Sequence, residues 1–156
     1  MIRALPVSLF LVRLLLAQHA MLPDPKLTPG AVDPRVTQAT IQATICKAGY
    51  TATVRAVSQA EKRQVIQRYG LPTSDLHLVE IDHFISLEIG GSNDITNLWP
   101  EYYDPAPEQS GYLGARQKDV VETSLKRQVC AGKITLRQAQ ENIRIWPRVY
   151  ETIGEK

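Results

Sequence analysis

The chain carries Glu80-Ile81-Asp82-His83, then a Gly90-Gly91-Ser92-Asn93 turn, then Asn97-Leu98-Trp99-Pro100. An acidic residue, an imidazole and a carboxamide are thereby set on the two arms of what reads as a hairpin. That grouping suits metal-assisted phosphodiester cleavage. The reaction demands a nucleophilic water, charge neutralisation at the phosphate and help for the departing alkoxide. Neutral His83 can take the proton, because an unperturbed imidazole has a pKa of about 6.5. A divalent cation held by Asp82 can supply the rest.

In a regular strand, residues 82 and 83 point to opposite faces, so both groups reach one cleft only if the strand ends or bends there. Gly90 and Gly91 relax the backbone limits of the connecting loop. Asn97 could fix that loop by hydrogen bonds or ligate a metal through its side-chain oxygen. An isolated Asp-His pair is more commonly a surface pair or a structural hydrogen bond. The weight therefore rests on the combination.

The flanking pattern outlines the elements that must hold these groups. Leu76 to Leu87 alternates apolar and polar residues over part of its length and predicts a strand; Gly90 to Asp94 turns the chain, and Ile95 to Trp99 predicts the return strand. A loop with Pro100, Pro105 and Pro107 follows. From about Leu113 to Ala131, the spacing of Val120, Val121, Leu125 and Val129 is helical, with Gly132 as the stop. Upstream, Ser58 and Glu61 form a capping box for a short helix that Gly70 ends. Thr135 and Gln138 form a second box, for a last helix reaching about Ile145. Val36 to Cys46 stays open between helix and strand. Met21 to Pro34, with four prolines and a Thr28-Pro29-Gly30 turn signal, predicts an extended surface arm.

At 156 residues, 44% of them apolar, one core is the expectation. Residues Met1 to Ala20 stand apart: Arg3, then a Leu- and Val-dominated run with no acid. The run is shorter than the roughly 20 residues of a membrane span and has the length of a signal-peptide core. Export to a periplasm or medium is the expectation, with no stable membrane association after cleavage. A buried N-terminal helix, or a true start at Met21, would instead leave the protein in the cytoplasm. Loss of the first twenty residues removes Arg3 and Arg13, taking Lys plus Arg from 18 to 16 against 16 Asp plus Glu. Any nucleic-acid contact must then come from local clusters such as Arg116, Lys118, Lys126, Arg127 and Lys133.

Cys46 and Cys130 are the two cysteines, and neither belongs to a CxxC pair, which excludes a finger or ribbon zinc site. In an exported chain they read as one disulfide tying the segment before the site to the helix after it; in the cytoplasm, as two buried thiols.

Asp82-His83, the Gly-Gly turn, Asn97-Leu98-Trp99-Pro100 and a later Lys118-Asp119-x-x-Glu122 together resemble the HNH nuclease family, also described as ββα-metal or His-Me finger proteins. Within that family the likeness is to small exported bacterial members. It covers most of Leu22 to Trp146, including Leu27-Thr28-Pro29-Gly30, Thr44-Ile45-Cys46, Gly49-Tyr50-Thr51, Val129-Cys130-Ala131-Gly132 and Ala139-Gln140. The resemblance implies an α+β fold with a ββα-metal hairpin-plus-helix core and additional flanking helices. It also implies His83 as general base, Asp82 as metal ligand and Asn97 as the middle residue of the motif. The chain then divides into a signal peptide over 1–20, an arm and pre-core segment over 21–57, and the nuclease core over 58–156, in one domain with the arm.

The family's site commonly ends in a third His or Asn on the helix, and no His follows His83 here. Asp119 and Glu122, three apart on one side of the predicted helix, could complete the shell of a Mg²⁺ otherwise held by water and phosphate, with Glu122 preferred and Mn²⁺ or Zn²⁺ as other ions. Lys118 and Arg116 are candidate phosphate contacts, against the alternative of a solvated helix face. Arg55 is either a phosphate contact or half of a local salt bridge. Trp99 is expected in the core.

The functional expectation is a divalent-metal-dependent endonuclease acting on DNA, with RNA left open and little sequence preference, since no recognition module is visible. The alternative is a non-catalytic exported binding or structural domain on the same scaffold. Nothing in the sequence sets the oligomeric state.

Overall fold

The computed structural model describes residues 21–103 and 113–154; the expected signal peptide over 1–20 lies outside them. The described residues form a mixed α+β structure. Two strands, β1 (Val79–His83) and β2 (Leu98–Tyr102), pair antiparallel. Five helices accompany them: α1 (Tyr50–Val54), α2 (Gln59–Tyr69), α3 (Ala115–Cys130), α4 (Leu136–Ile143) and α5 (Trp146–Gly154). No helix among the described residues is long and apolar enough to cross a membrane.

Both strands depart from the sequence expectation. β1 is shorter than the span from Leu76 to Leu87, because Ser86 Oγ accepts from the Glu88 amide and starts a 3₁₀ turn over Leu87–Ile89. β2 begins three residues late, because Asp94 Oδ1 accepts from the Thr96 amide and winds Ile95–Asn97 into another 3₁₀ turn. Pro100, expected in a loop, pairs with Ile81 inside β2. A two-stranded ribbon has only edge strands, so the missing proline N–H breaks no interior ladder.

The capping boxes on α2 and α4 form as the sequence reads: Ser58 with Glu61, and Thr135 with Gln138. Two helices were not legible. α1 spans just over one turn and lacks any signal of its own, and α5 follows α4 so closely that the two read as one pattern ending near Ile145. Val36 to Cys46 resolves into turns, with a 3₁₀ segment at Ile41–Ala43.

The arm is stitched into the body rather than laid on it. Thr28 is fully buried and donates to Leu98 O at 2.9 Å, while Tyr69 of α2 donates to the Thr28 hydroxyl at 2.7 Å. Arg68 bridges the Leu27 and Ile95 carbonyls, and Arg144 reaches Pro29 O and Gly30 O. Four prolines restrict the arm's own backbone, and side chains from distant elements supply its hydrogen bonds.

The core gathers Ile45, Ile85, Ile89, Trp99, Val121, Leu125, Val129, Ala139, Ile143 and Trp146 around α3. Val121, Leu125 and Val129 recur at intervals of four along α3 and form its buried stripe. The Cys46–Cys130 disulfide, with Cα atoms 5.5 Å apart, fastens the end of that helix to the segment before α1.

Candidate active site

Lys118 organises one side of the site. It lies one turn into α3 from the N-terminus, and its side chain runs inward and is 1% exposed. The ammonium donates to Asp82 Oδ2 at 2.5 Å, to Glu122 Oε1 at 2.5 Å and to the His83 carbonyl at 2.9 Å. Three donors meet three acceptors, so the ammonium is saturated. Glu101 Oε2 stands a further 3.7 Å away. Burial works against the lysine charge, but Asp82, Glu122 and Glu101 outweigh it and hold the pKa well above the ordinary lysine value.

Strand pairing brings Glu101 here. Glu101 faces Glu80 across the ribbon, so it shares a face with Asp82 diagonally opposite. Its carboxyl is 2% exposed and neither oxygen accepts a hydrogen bond. Burial first, then the charge of Asp82, a hydrogen bond shared with the Asp82 carboxyl and the charge of Glu122, raise its pKa well above the usual carboxyl value against the pull of Lys118. Burial also pushes the Asp82 carboxyl up, but Lys118 outweighs that and leaves it lowered. Glu122, buried and beside Asp82, rises to about 7 despite Lys118 and a 2.7 Å hydrogen bond from Ser86.

His83 sits at the end of β1 and goes to a different partner. Its Nε2 lies 3.0 Å from Asn93 Oδ1. The Asn93 carboxamide is oriented by backbone on both sides: its Nδ2 donates to Val54 O at 2.7 Å, and its Oδ1 accepts from Ala56 N at 3.2 Å. With Oδ1 fixed as acceptor, Nε2 must carry the hydrogen in the neutral ring. The lone pair is then on Nδ1, which is buried and has no hydrogen-bond partner. Burial lowers the imidazole pKa, more than Asp82 and Asn93 raise it, so the ring is neutral at neutral pH.

Asn97 takes the first of the two roles open to it. Fully buried, it accepts from Ile85 N at 2.8 Å and donates to Ile85 O and Ser92 O at 2.9 and 2.8 Å. Its carboxamide locks the ends of the loop between the strands, and no free face remains for a metal. Gly91 lies in the same lock: a Cβ there would overlap the Ile85 carbonyl and press on the Asn97 side chain.

The remaining candidates sort by exposure. Lys118 is not a phosphate contact, because its ammonium is enclosed and saturated. Arg116 and Asp119 lie on the exposed face of α3. Burial, with the charge of Asp82, raises the Asp119 pKa, which places Asp119 beside the carboxylate cluster without a bond to it. Arg55 is exposed at the end of α1 and its guanidinium has no ion pair among the described residues. Its charge acts on His83, Glu80 and Asp119. Arg127, Lys133 and Arg148 gather instead along a groove of about 810 Å³ between α3 and α5, whose lining includes none of the residues around His83. Trp99 is buried, as expected.

The arrangement does not fit the expected divalent cation. Of the proposed ligands, Asp82 and Glu122 hold the Lys118 ammonium, Asn97 is occupied by backbone, and Asp119 lies beside the cluster on the exposed face of α3 without a bond to it. No three acidic, His or Cys side chains among the described residues are set to hold a metal ion. The donors are of the right chemical type for Mg²⁺ or Mn²⁺, but a lysine stands among them.

Asn93, Glu101, Ser86 and the central place of Lys118 were not legible from the sequence. Asn93 reads as one more turn residue, and Glu101 joins the site only as part of β2, a strand whose span the sequence placed three residues early. Compared with known proteins, the chain matches no family model, and neither a curated protein nor a solved structure shows significant similarity to it.

Proposed function

We propose that this chain hydrolyses phosphodiester bonds of nucleic acid, with His83 as the general base. The observation that carries the reading is the His83 ring, held neutral with its Nδ1 lone pair uncommitted by a carboxamide that is itself fixed by backbone. A base oriented in this way takes a proton from an attacking water without first reorganising. Arg55, exposed and unpaired among the described residues, supplies positive charge on the same side and would engage a phosphate oxygen. Nδ1 lies beneath the surface, so water must be admitted together with substrate. The resemblance to HNH nucleases adds DNA as the expected substrate, with RNA as a second class. Metal dependence, the ββα-metal form of the core and an exported location belong to that same resemblance.

A second reading is favoured by the Lys118 cluster. A buried ammonium saturated by two carboxylates and a carbonyl is also what a non-catalytic domain would use to fasten a helix to a hairpin. The two readings separate in one experiment. Plasmid, single-stranded DNA and RNA are incubated with the purified chain from Met21 onward, with Mg²⁺, with Mn²⁺ and with chelator, beside His83→Ala. Cutting that falls by about 10² to 10⁴ in the variant supports the nuclease, in line with the usual share of a general base. No cutting by a folded, disulfide-bonded protein under any condition selects the binding domain.

A further inference from the structure

The carboxylates of Asp82, Glu122 and Glu101 converge from β1, α3 and β2 on one point, and that point holds the nitrogen of Lys118. Two of them touch it. Glu101, the third, is 2% exposed, accepts no hydrogen bond and stops 3.7 Å short of the ammonium. The saturated ammonium therefore leaves one buried acidic side chain outside its hydrogen bonds. A cation with more coordination positions would take it in, because Mg²⁺ and Mn²⁺ accept six oxygen ligands where an ammonium offers three protons.

Geometry explains how a lysine reaches this place. Lys118 and Glu122 are one helical turn apart, so their side chains lie on the same face of α3. That face meets the hairpin at Asp82 and at the His83 carbonyl.

We propose that the Lys118 ammonium is the resident cation of this site and competes with a divalent metal for the same carboxylates. The wild-type chain then takes up no Mg²⁺ or Mn²⁺ there, and Lys118→Met, which keeps the stem volume and removes the charge, gains a Mn²⁺ site made of Asp82, Glu122 and Glu101. The inference concerns the cluster alone and does not need the chain to be a nuclease. If the nuclease reading also holds, wild-type cleavage survives chelator.

The test is calorimetric titration of chelator-treated wild type and Lys118→Met with MnCl₂, together with thermal melts with and without Mn²⁺. The expected result is no binding heat and no melting shift in wild type, against saturable binding and a raised melting temperature in the variant. A variant that folds only when Mn²⁺ is present gives the same support, since metal binding then supplies folding free energy. Wild-type binding as tight as the variant's overturns the proposal, as does a folded variant that binds no Mn²⁺. Should the variant fold under neither condition, wild type decides through Mn²⁺ line broadening in its NMR spectrum. Broadening centred on Asp82, Lys118 and Glu122 at equimolar metal overturns the proposal, and unbroadened signals there support it. Loss of DNA cleavage in every arm with these binding results intact would remove the nuclease reading and leave this one standing.

Discussion

The Nε2 of His83 lies 3.0 Å from Asn93 Oδ1, and Asn93 is held from the other side by the backbone of Val54 and Ala56. The end of α1 thus sets the tautomer of an imidazole at the end of β1, through one carboxamide in the loop between the strands.

Replacing that carboxamide should release the ring. Asn93→Ala is expected to lower the rate of phosphodiester cleavage by about 10², at the low end of what a positioned base contributes. Asn93→Asp, which keeps an acceptor toward Nε2, should lose less, although it forfeits the bond to Val54 O. Nitrogen-15 shifts of His83 check the cause directly: the Nε2–H tautomer in wild type, a mixture in Asn93→Ala. An unchanged tautomer in the alanine variant would sink the positioning role.

The His83 pKa gives a pH dependence of known sign. Burial lowers it below the ordinary value of 6.5, so the base stays neutral until the pH falls under that value. Cleavage should be lost on an acid limb with its midpoint below pH 6.5. Between the two pKa values the unfolded chain binds the proton and the folded chain does not, so the stability His83 contributes is full above 6.5 and is lost as pH falls through the folded pKa. NMR titration of the ring proton signals measures that midpoint.

Glu122 acts in the opposite direction. Its pKa rises from 4.5 to about 7 in the fold. The folded chain therefore holds a proton that the unfolded chain has released, and this group's contribution is full below 4.5 and lost as pH rises through about 7. Denaturant melts across this window should show a slope that Glu122→Gln removes, beside a general destabilisation from the loss of the negative charge facing Lys118.

Asn97 is expected to matter for stability before chemistry. Asn97→Ala strands the buried Ile85 N–H and two carbonyls, so a loss of about 2 to 4 kcal/mol is expected from unsatisfied buried groups. Chemical denaturation measures it. A variant as stable as wild type would show that the loop does not depend on this lock.

Reduction of Cys46–Cys130 opens a cross-link spanning 84 residues. In the chain-entropy model the loss is about 4 to 5 kcal/mol. Melts with and without reductant should show it, and hydrogen exchange should show the last turn of α3 opening first, because Cys130 is its final residue.

The sequence by itself determined the local elements whose signals are local. The capping residues Ser58 and Thr135 and the four-residue stripe Val121, Leu125 and Val129 fix α2, α4 and α3 through bonds and contacts within a few residues. It also brought Asp82, His83, Asn97 and Glu122 together through their resemblance to one family, and left the two cysteines as a disulfide in an exported chain or two buried thiols in the cytoplasm. Tertiary structure decided what each of those groups does. Whether Asn97 locks a loop or binds a metal depends on where Ile85 and Ser92 come to lie. Whether Lys118 meets phosphate or fills a carboxylate cluster depends on the face of α3 that meets the hairpin. Glu101 and Asn93 carry no local mark, because strand register brings Glu101 to Lys118, and Asn93 is fixed by the backbone of Val54 and Ala56 at the end of α1, 39 and 37 residues away. Hydrogen bonds and ion pairs are short-ranged in space and indifferent to distance along the chain, so the roles of these side chains become legible only once the chain is folded.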